Sequence, residues 1–158
     1  MKKLGTIQGC DIIEDNDGKV LFIADADIDC DGGSNPHHDP CWQPETTLRH
    51  NGHSIDAETV PFIVVPPLII KATKGIVMGC RSRVTHALTG KRVECVVADS
   101  GPTKKIGELS VAAAKAIGVN PNPNTGGEER RIIHYELWPG TPATVNGIRY
   151  QLQPAGKA

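Results

Sequence analysis

Glycine and proline interrupt this chain so often that long regular elements have little room to form. The 158 residues include 17 glycines and 12 prolines, and only 4% are aromatic. One stretch is typical of a helix, because Ser110 is a good N-cap, residues 111–117 are alanine-rich and Gly118 is a C-terminal stop. The sequence predicts one mainly β domain over 1–158, a barrel or sandwich with one short helix, and excludes a helical bundle or coiled coil.

Short strands are predicted where apolar residues alternate or run continuously between turn residues. They fall at 6–14 and 19–23, joined by an Asp15–Gly18 turn; at 60–65; at 68–72, after Pro66 and Pro67; at 75–88 and 91–98, as a hairpin; and at 131–137 and 144–152. Residues 24–58 lack periodicity and are rich in Asp, His, Gly and Pro. This predicts a long polar loop, a kind of segment that often carries function.

Charge is unevenly distributed along the chain. Residues 1–60 contain 12 acidic and 4 basic side chains, whereas the remainder contains 6 acidic and 13 basic ones. No broad basic face is indicated, which argues against nucleic acid as a partner. A locally acidic face suits a cationic ligand or a metal ion, although the two halves could also simply neutralise each other.

No segment predicts an association with a membrane. The longest apolar run, residues 62–70, is about half the length of a membrane span and is interrupted by Pro66 and Pro67. Residues 4–10 are not hydrophobic enough for a secretion signal. We therefore expect a chain that does not associate with a membrane and carries no evident targeting signal.

Four aspartates occupy alternate positions, Asp25, Asp27, Asp29 and Asp31, and Gly32 follows them. The spacing is similar to the start of a calcium loop, but the bidentate Glu of an EF-hand is missing at the twelfth position. In an extended chain all four carboxylates would lie on one face, where they would repel one another without a cationic or polar partner. The pattern indicates a cation or substrate site, with a solvated acidic strand end as the alternative.

The predicted loop contains further polar residues with several interpretations. Its histidines and thiols match no common zinc spacing, so no metal site is assigned. Trp42 could stack on a sugar ring or anchor the loop. Cys30 and Cys41 flank part of the loop, and whether they are bridged is left open. Elsewhere, Cys80 and Cys95 lie in apolar, strand-like surroundings and are predicted to be core residues.

Asp99 and Glu108 are the candidates for acid–base chemistry. Asp99 ends a predicted strand, Glu108 lies just before the helix, and the Gly- and Pro-containing loop between them could bring both to one cleft. Glycoside hydrolysis needs such a pair of carboxyl groups. The alternative is structural, with Asp99 capping a turn and Glu108 favouring the helix dipole.

Five segments, in this order, resemble glycoside hydrolase family 75, the chitosanases of fungi and bacteria. They are residues 25–32 (DADIDCDG), 39–46 (DPCWQPET), 56–66 (DAETVPFIVVP), 97–110 (VADSGPTKKIGELS) and 132–140 (IIHYELWPG). Residues 97–118 also resemble double-psi β-barrels, which include expansin-like domains and lytic transglycosylases of the rare-lipoprotein type. This second resemblance implies a small six-stranded barrel.

The family resemblance implies an endo-acting, inverting hydrolase of the β-1,4 bonds of chitosan, with Asp99 and Glu108 as the catalytic pair and no cofactor. The nearby helix N-terminus weakly favours Glu108 as the base and Asp99 as the acid. Chitosan is a polycation, so carboxylates should line its binding groove. The expected substrate-binding residues are Asp25, Asp27, Asp29, Asp31, Trp42 and His134.

Two other functions remain open from the sequence. The turn Asp99-Ser-Gly-Pro102 is closer to the bacterial and barrel form, which leaves room for a peptidoglycan-cleaving enzyme. Double-psi barrels also include polysaccharide-binding modules without catalysis. A secreted location is expected if this chain is a mature form, with a cytoplasmic or phage-delivered protein as the alternatives.

Overall fold

The structure, a computed structural model, describes residues 1–153 and is built mainly from β-strands. Their bounds are β1 Lys2–Ile7, β2 Cys10–Glu14, β3 Val20–Asp29, β4 Arg49–His50, β5 His53–Ser54, β6 Phe62–Val65, β7 Cys80–His86, β8 Arg92–Ser100, β9 Glu108–Ser110, β10 Glu128–Pro142, β11 Thr144–Val145 and β12 Ile148–Arg149. The helices are α1 Pro67–Ala72 and α2 Val111–Ala116.

Six strands close into a barrel in the order β3-β10-β7-β8-β6-β9, and β9 returns to pair with β3. The β3–β9 and β6–β8 pairs are parallel, and the other pairs around the ring are antiparallel. The β1–β2 hairpin continues the sheet from β3. The prediction of a mainly β, six-stranded barrel is confirmed.

Strand β6 is the most enclosed element of the barrel. All four of its residues are buried, and it lies between β8 on one side and β9 on the other. Ile63 faces Val97 on β8 and Leu109 on β9, and all three are fully buried. Such continuous burial explains why residues 62–65 have an apolar run instead of an alternating pattern.

The structure has two short helices where the sequence predicted one. Ser110 caps α2 as predicted, since its Oγ accepts a hydrogen bond from the Ala113 N–H at 3.2 Å. The predicted strand at 68–72 was wrong, because Pro67 begins α1, where a missing N–H and a fixed φ suit the first helical turn. In the described part of the chain, no helix is long and apolar enough to cross a membrane.

Other predicted boundaries were also wrong. The strand predicted at 75–88 covers only Cys80–His86, and the one predicted at 144–152 is two short paired strands, β11 and β12. The strand at 6–14 is broken at Gln8 and Gly9, both of which have positive φ and form the β1–β2 turn. The long loop begins later than predicted, because β3 continues to Asp29. The closing strand is longer than 131–137, since β10 runs through its Trp-Pro-Gly segment to Pro142.

The central position of β6 makes its packing a test of the fold. We expect Ile63→Ala to lower the free energy of unfolding by about 2–5 kcal/mol, because it leaves a cavity among fully buried neighbours. Urea denaturation measures this loss. Leu88→Ala, at a position that is 64% exposed, should change stability by less than about 0.5 kcal/mol. Equal losses in the two variants would contradict the assigned core.

Candidate functional site

Asp99 and Glu108 lie on the two strands that flank β6, and both are paired with the same residue. Val64 faces Asp99 on β8 and Glu108 on β9. Paired residues project to the same side of a sheet, and adjacent strands are about 4.8 Å apart. The two acidic residues therefore share one face, with their backbones about 10 Å apart.

Asp27 extends this arrangement by one strand, since it is paired with Glu108 in the parallel β3–β9 ladder. We call Asp27, Glu108 and Asp99, with Val64 between the last two, the carboxylate row. The three acidic residues are half-buried, whereas Val64 is buried. The row exists because β9 is hydrogen-bonded to both β3 and β6, so it depends on closure of the barrel.

A β-bulge aims Asp99 into the carboxylate row. Ile63 is paired with Val97, but the next residue of β6, Val64, is paired with Asp99, so Ala98 is an extra residue on β8. Val97 and Ala98 are both fully buried. The bulge lets two consecutive residues stay inside while Asp99 turns towards the row, a use of bulges that is common beside functional sites.

Three hydrogen-bond donors converge on the Asp99 carboxylate. Its Oδ1 accepts from the Thr47 N–H at 3.1 Å, the Thr47 hydroxyl at 2.8 Å and the Ser100 N–H at 3.0 Å. Burial raises the pKa of Asp99, and these hydrogen bonds counteract the rise because they stabilise the charged form. A carboxylate held in this way is fixed in orientation.

Glu108 has a different environment. Burial raises its pKa, the Lys105 ammonium opposes that rise, and the Asp27 and Asp99 carboxylates add to it. Among the hydrogen bonds of residues 1–153, none fixes the Glu108 side chain. A Cβ added to Gly101 would lie 3.0 Å from Glu108 Oε1, so the absence of a side chain at Gly101 leaves space beside the carboxyl group.

The alternate aspartates lie along β3 and just beyond its end, with Asp25, Asp27 and Asp29 in the strand and Asp31 after it. Burial, with a contribution from Asp27, raises the pKa of Asp25 to about 6. The sequence did not predict the depth of Asp29, which is only 9% exposed.

Asp29, Asp31 and Asp99 form a compact group that we call the aspartate triad. One carboxylate oxygen from each lies within 4.8 Å of the other two. Backbone N–H groups of Asp31 and Gln43 donate to Asp29 and Asp31 at 2.7 and 2.8 Å, respectively. The triad is close enough to share a proton or a cation, and it is the one such acidic, His or Cys group found in residues 1–153.

A cavity of about 470 Å³ opens beside the triad. Its lining includes Asp31, Gln43, Thr47, Asp99 and Ser100. The sequence did not indicate Thr47, Ser100 or Gln43 as site residues. Thr47 meets Asp99 from 52 residues away, whereas Ser100 and Gln43 contribute backbone N–H groups, which no side-chain pattern reveals. For Gln43, the one available signal in the sequence was its position next to Trp42 in the 39–46 segment.

Trp42 and His134, the other two predicted substrate-binding residues, lie on different elements from the carboxylate row. Trp42 is partly buried in the loop, and its buried indole N–H has no partner among the described residues. His134 is exposed on β10 between Ile23 and Thr85. It lines a separate cavity of about 660 Å³, whose lining contains neither Asp99 nor Glu108.

The cysteines are free thiols, which answers the question of a bridge between Cys30 and Cys41. Cys30 is buried and donates its S–H to Asp39 Oδ2 at 3.4 Å, whereas Cys41 is exposed. Cys80 and Cys95 are fully buried, which confirms their prediction as core residues.

The fold and these side chains define a six-stranded mixed β-barrel with a carboxylate-lined cleft. No protein-family model matches the chain. It is 40% identical over 76 residues to endo-chitosanase C of Aspergillus oryzae, covering 44% of this chain and 19% of that protein. A second endo-chitosanase C sequence of this fungus is 40% identical over 58 residues, covering 37% of this chain and 14% of that protein. The chain thus spans less than a fifth of the length of these relatives.

The aspartate triad makes stability depend on pH. Burial, together with the Asp31 and Asp99 carboxylates, raises the pKa of Asp29 to about 8. The folded state then keeps a proton that an unfolded Asp releases above about pH 4. This contribution to stability is full below about pH 4 and is lost as the pH rises to about 8. Since Asp29→Asn cannot ionise, we expect its melting temperature to fall less than that of wild type between pH 5 and pH 8.

Thermal unfolding in the presence of a chelator measures this difference. Asp17→Asn, in an exposed turn, is the control and should follow wild type. Parallel curves for wild type and Asp29→Asn would contradict a protonated Asp29. A rise in the melting temperature of wild type alone on adding Ca²⁺ or Mg²⁺ would show that a cation, not a proton, neutralises the triad.

Proposed function

We propose that this chain is an endo-acting glycoside hydrolase that cleaves the β-1,4 bonds of chitosan with inversion, using Asp99 and Glu108. The observation that carries the proposal is the pairing of both acids with Val64, which directs them to one face from opposite sides of β6. The partial similarity to endo-chitosanase C supports the choice of substrate.

The spacing of the acids favours inversion over retention. Inverting glycosidases hold their carboxyl groups about 6.5–9.5 Å apart, which leaves room for a water molecule, whereas retaining enzymes need about 5 Å. Asp99 and Glu108 are separated by two strand spacings, about 10 Å at the backbone. A backbone separation of this size leaves room for a water molecule between the two carboxyl groups, as inversion requires.

The environments of the two carboxyl groups support different roles for them, one as the general base and the other as the general acid. Asp99 accepts three hydrogen bonds, which stabilise its anion, so it acts as the base and takes a proton from the attacking water. Glu108 lacks such donors among the described residues, and burial raises its pKa, which favours the protonated form, so we assign it as the acid that protonates the leaving glycosidic oxygen. This assignment is the reverse of the one that the helix N-terminus weakly favoured.

The acidity of this region suits a polycationic chain. Asp25, Asp27 and the aspartate triad extend the negative face on both sides of Glu108. Ammonium groups of glucosamine units would be attracted to these carboxylates, and the attraction would weaken with salt. The chemistry needs acid and base groups only, so the proposal requires no cofactor.

Reducing-end release from chitosan tests the proposed function. We expect Glu108→Gln to lower kcat by about 10²–10⁴-fold, because the amide cannot deliver a proton to the leaving group. Glu94→Gln is the control, since Glu94 lies on β8 but pairs with Arg81 at 2.7 Å. Retention of activity by Glu108→Gln, with its fold intact by circular dichroism, would remove Glu108 from catalysis.

A wild-type protein that releases no reducing ends from chitosan would reject the chitosanase proposal and favour one of the two alternative functions. Loss of turbidity from purified cell walls would then support a peptidoglycan-cleaving enzyme. Binding of chitosan without cleavage of either polymer would support a polysaccharide-binding module.

Stereochemistry provides an independent prediction. A single displacement at a β-linked sugar yields the α-anomer first, because water attacks the face opposite the leaving group. Proton NMR within the first minutes of hydrolysis should show the α-anomer before mutarotation mixes the two forms. An initial β-anomer would exclude inversion while leaving hydrolysis in place.

A further inference from the structure

Lys105 places a positive charge within the acidic face. It belongs to the segment 101–107, which connects β8 to β9, and its Nζ lies 3.0 Å from Asp27 Oδ2. Asp27 is the strand partner of Glu108, so this ion pair is adjacent to the proposed acid. The ammonium is influenced by three carboxylates, those of Glu108, Asp27 and Asp25.

The segment that carries Lys105 is held in place by its backbone. Asp27 N–H donates to the Gly107 carbonyl at 2.7 Å, and Ile106 N–H donates to Gln8 Oε1 at 3.0 Å. Gly107 has a φ of +88°, and a Cβ there would lie 2.7 Å from the Asp25 carbonyl oxygen. These contacts fix the segment against β3 without help from the Lys105 side chain.

The Lys105–Asp27 ion pair is also easy to open. The side chains of Lys105 and Asp27 are 38% and 48% exposed. Exposed ion pairs contribute little net free energy, because water and side-chain entropy offset most of the attraction. Another ammonium group can therefore replace Lys105 on Asp27 at small cost.

We propose that Lys105 is a specificity-determining residue, whose ammonium occupies in the free protein the place on Asp27 that an ammonium of a glucosamine unit takes in the complex. This inference rests on the proposed function. A cationic sugar must displace Lys105, whereas a neutral N-acetylated sugar leaves the ion pair closed. Lys105 thus makes binding of the polycation weaker than the carboxylates alone would give.

Two neighbouring lysines allow a matched test. Lys105→Gln and Lys104→Gln remove the same charge from adjacent positions, but Lys104 is exposed and has no ion pair among the described residues. We expect Lys105→Gln to lower KM for a fully deacetylated glucosamine hexamer about three- to fivefold, the scale of an exposed ion pair. Lys104→Gln should leave KM within about 1.5-fold, and Lys105→Arg should behave as wild type.

A neutral probe separates competition from a structural effect. Binding of the N-acetylglucosamine hexamer, measured by calorimetry, should be the same in wild type and Lys105→Gln, because this ligand has no ammonium groups. Equal changes in KM for the two lysine variants would overturn the proposal and indicate only long-range attraction. A rise in KM, or a loss of kcat with a lower melting temperature, would overturn it in favour of an anchoring role.

Calorimetry with the glucosamine hexamer keeps this inference separate from the proposed function. Tighter binding to Lys105→Gln than to Lys104→Gln, with no cleavage by wild type, would support the role of Lys105 and reject the hydrolase. Cleavage by wild type with unchanged binding in Lys105→Gln would reject the role of Lys105 and leave the hydrolase standing.

Discussion

The burial of β6 between two strands of different direction is the constraint on which the site depends. Val64 is paired on both sides, and each of its partners is an acid. Because the barrel core fixes β6, neither acid can move along its strand without breaking the ladder that holds Val64. The apolar core therefore sets the geometry of the polar chemistry, and the separation of the acids follows from the spacing of strands.

Carboxylates crowd on this face, and the protein manages their repulsion in three ways. Backbone and hydroxyl donors stabilise the charged form of Asp99, burial favours the protonated form of Asp29, and the Lys105 ammonium pairs with Asp27. The three carboxyl groups therefore differ in charge state, because Asp29 is favoured as the neutral acid whereas Asp27 and Asp99 are stabilised as anions. Such divergence between like side chains is what acid–base chemistry requires, because the acid and the base must differ in protonation.

Local patterns predicted the parts of the molecule that depend on neighbours in sequence. The cap at Ser110, the apolar run of β6 and the alternation of Asp25, Asp27 and Asp29 were all visible because each follows a short periodic or capping rule. The bulge at Ala98 and the hydrogen bonds from Thr47 were not visible. The bulge arises where strands 35 residues apart meet and the Thr47 hydrogen bonds where the separation is 52 residues, and no local pattern encodes such a register.

The parallel ladder between β3 and β9 has a consequence for how the chain folds. It joins Asp27 to Glu108 across half of the sequence. The chain must therefore lose the conformational entropy of closing this long loop before the contacts between β3 and β9 can stabilise it. Barrels with such non-local pairing fold in milliseconds to seconds, much more slowly than helical proteins. Asp27 joins the carboxylate row only when this seam closes, so a barrel open between β3 and β9 would keep Asp99 and Glu108 paired with Val64 but would lack Asp27 beside Glu108.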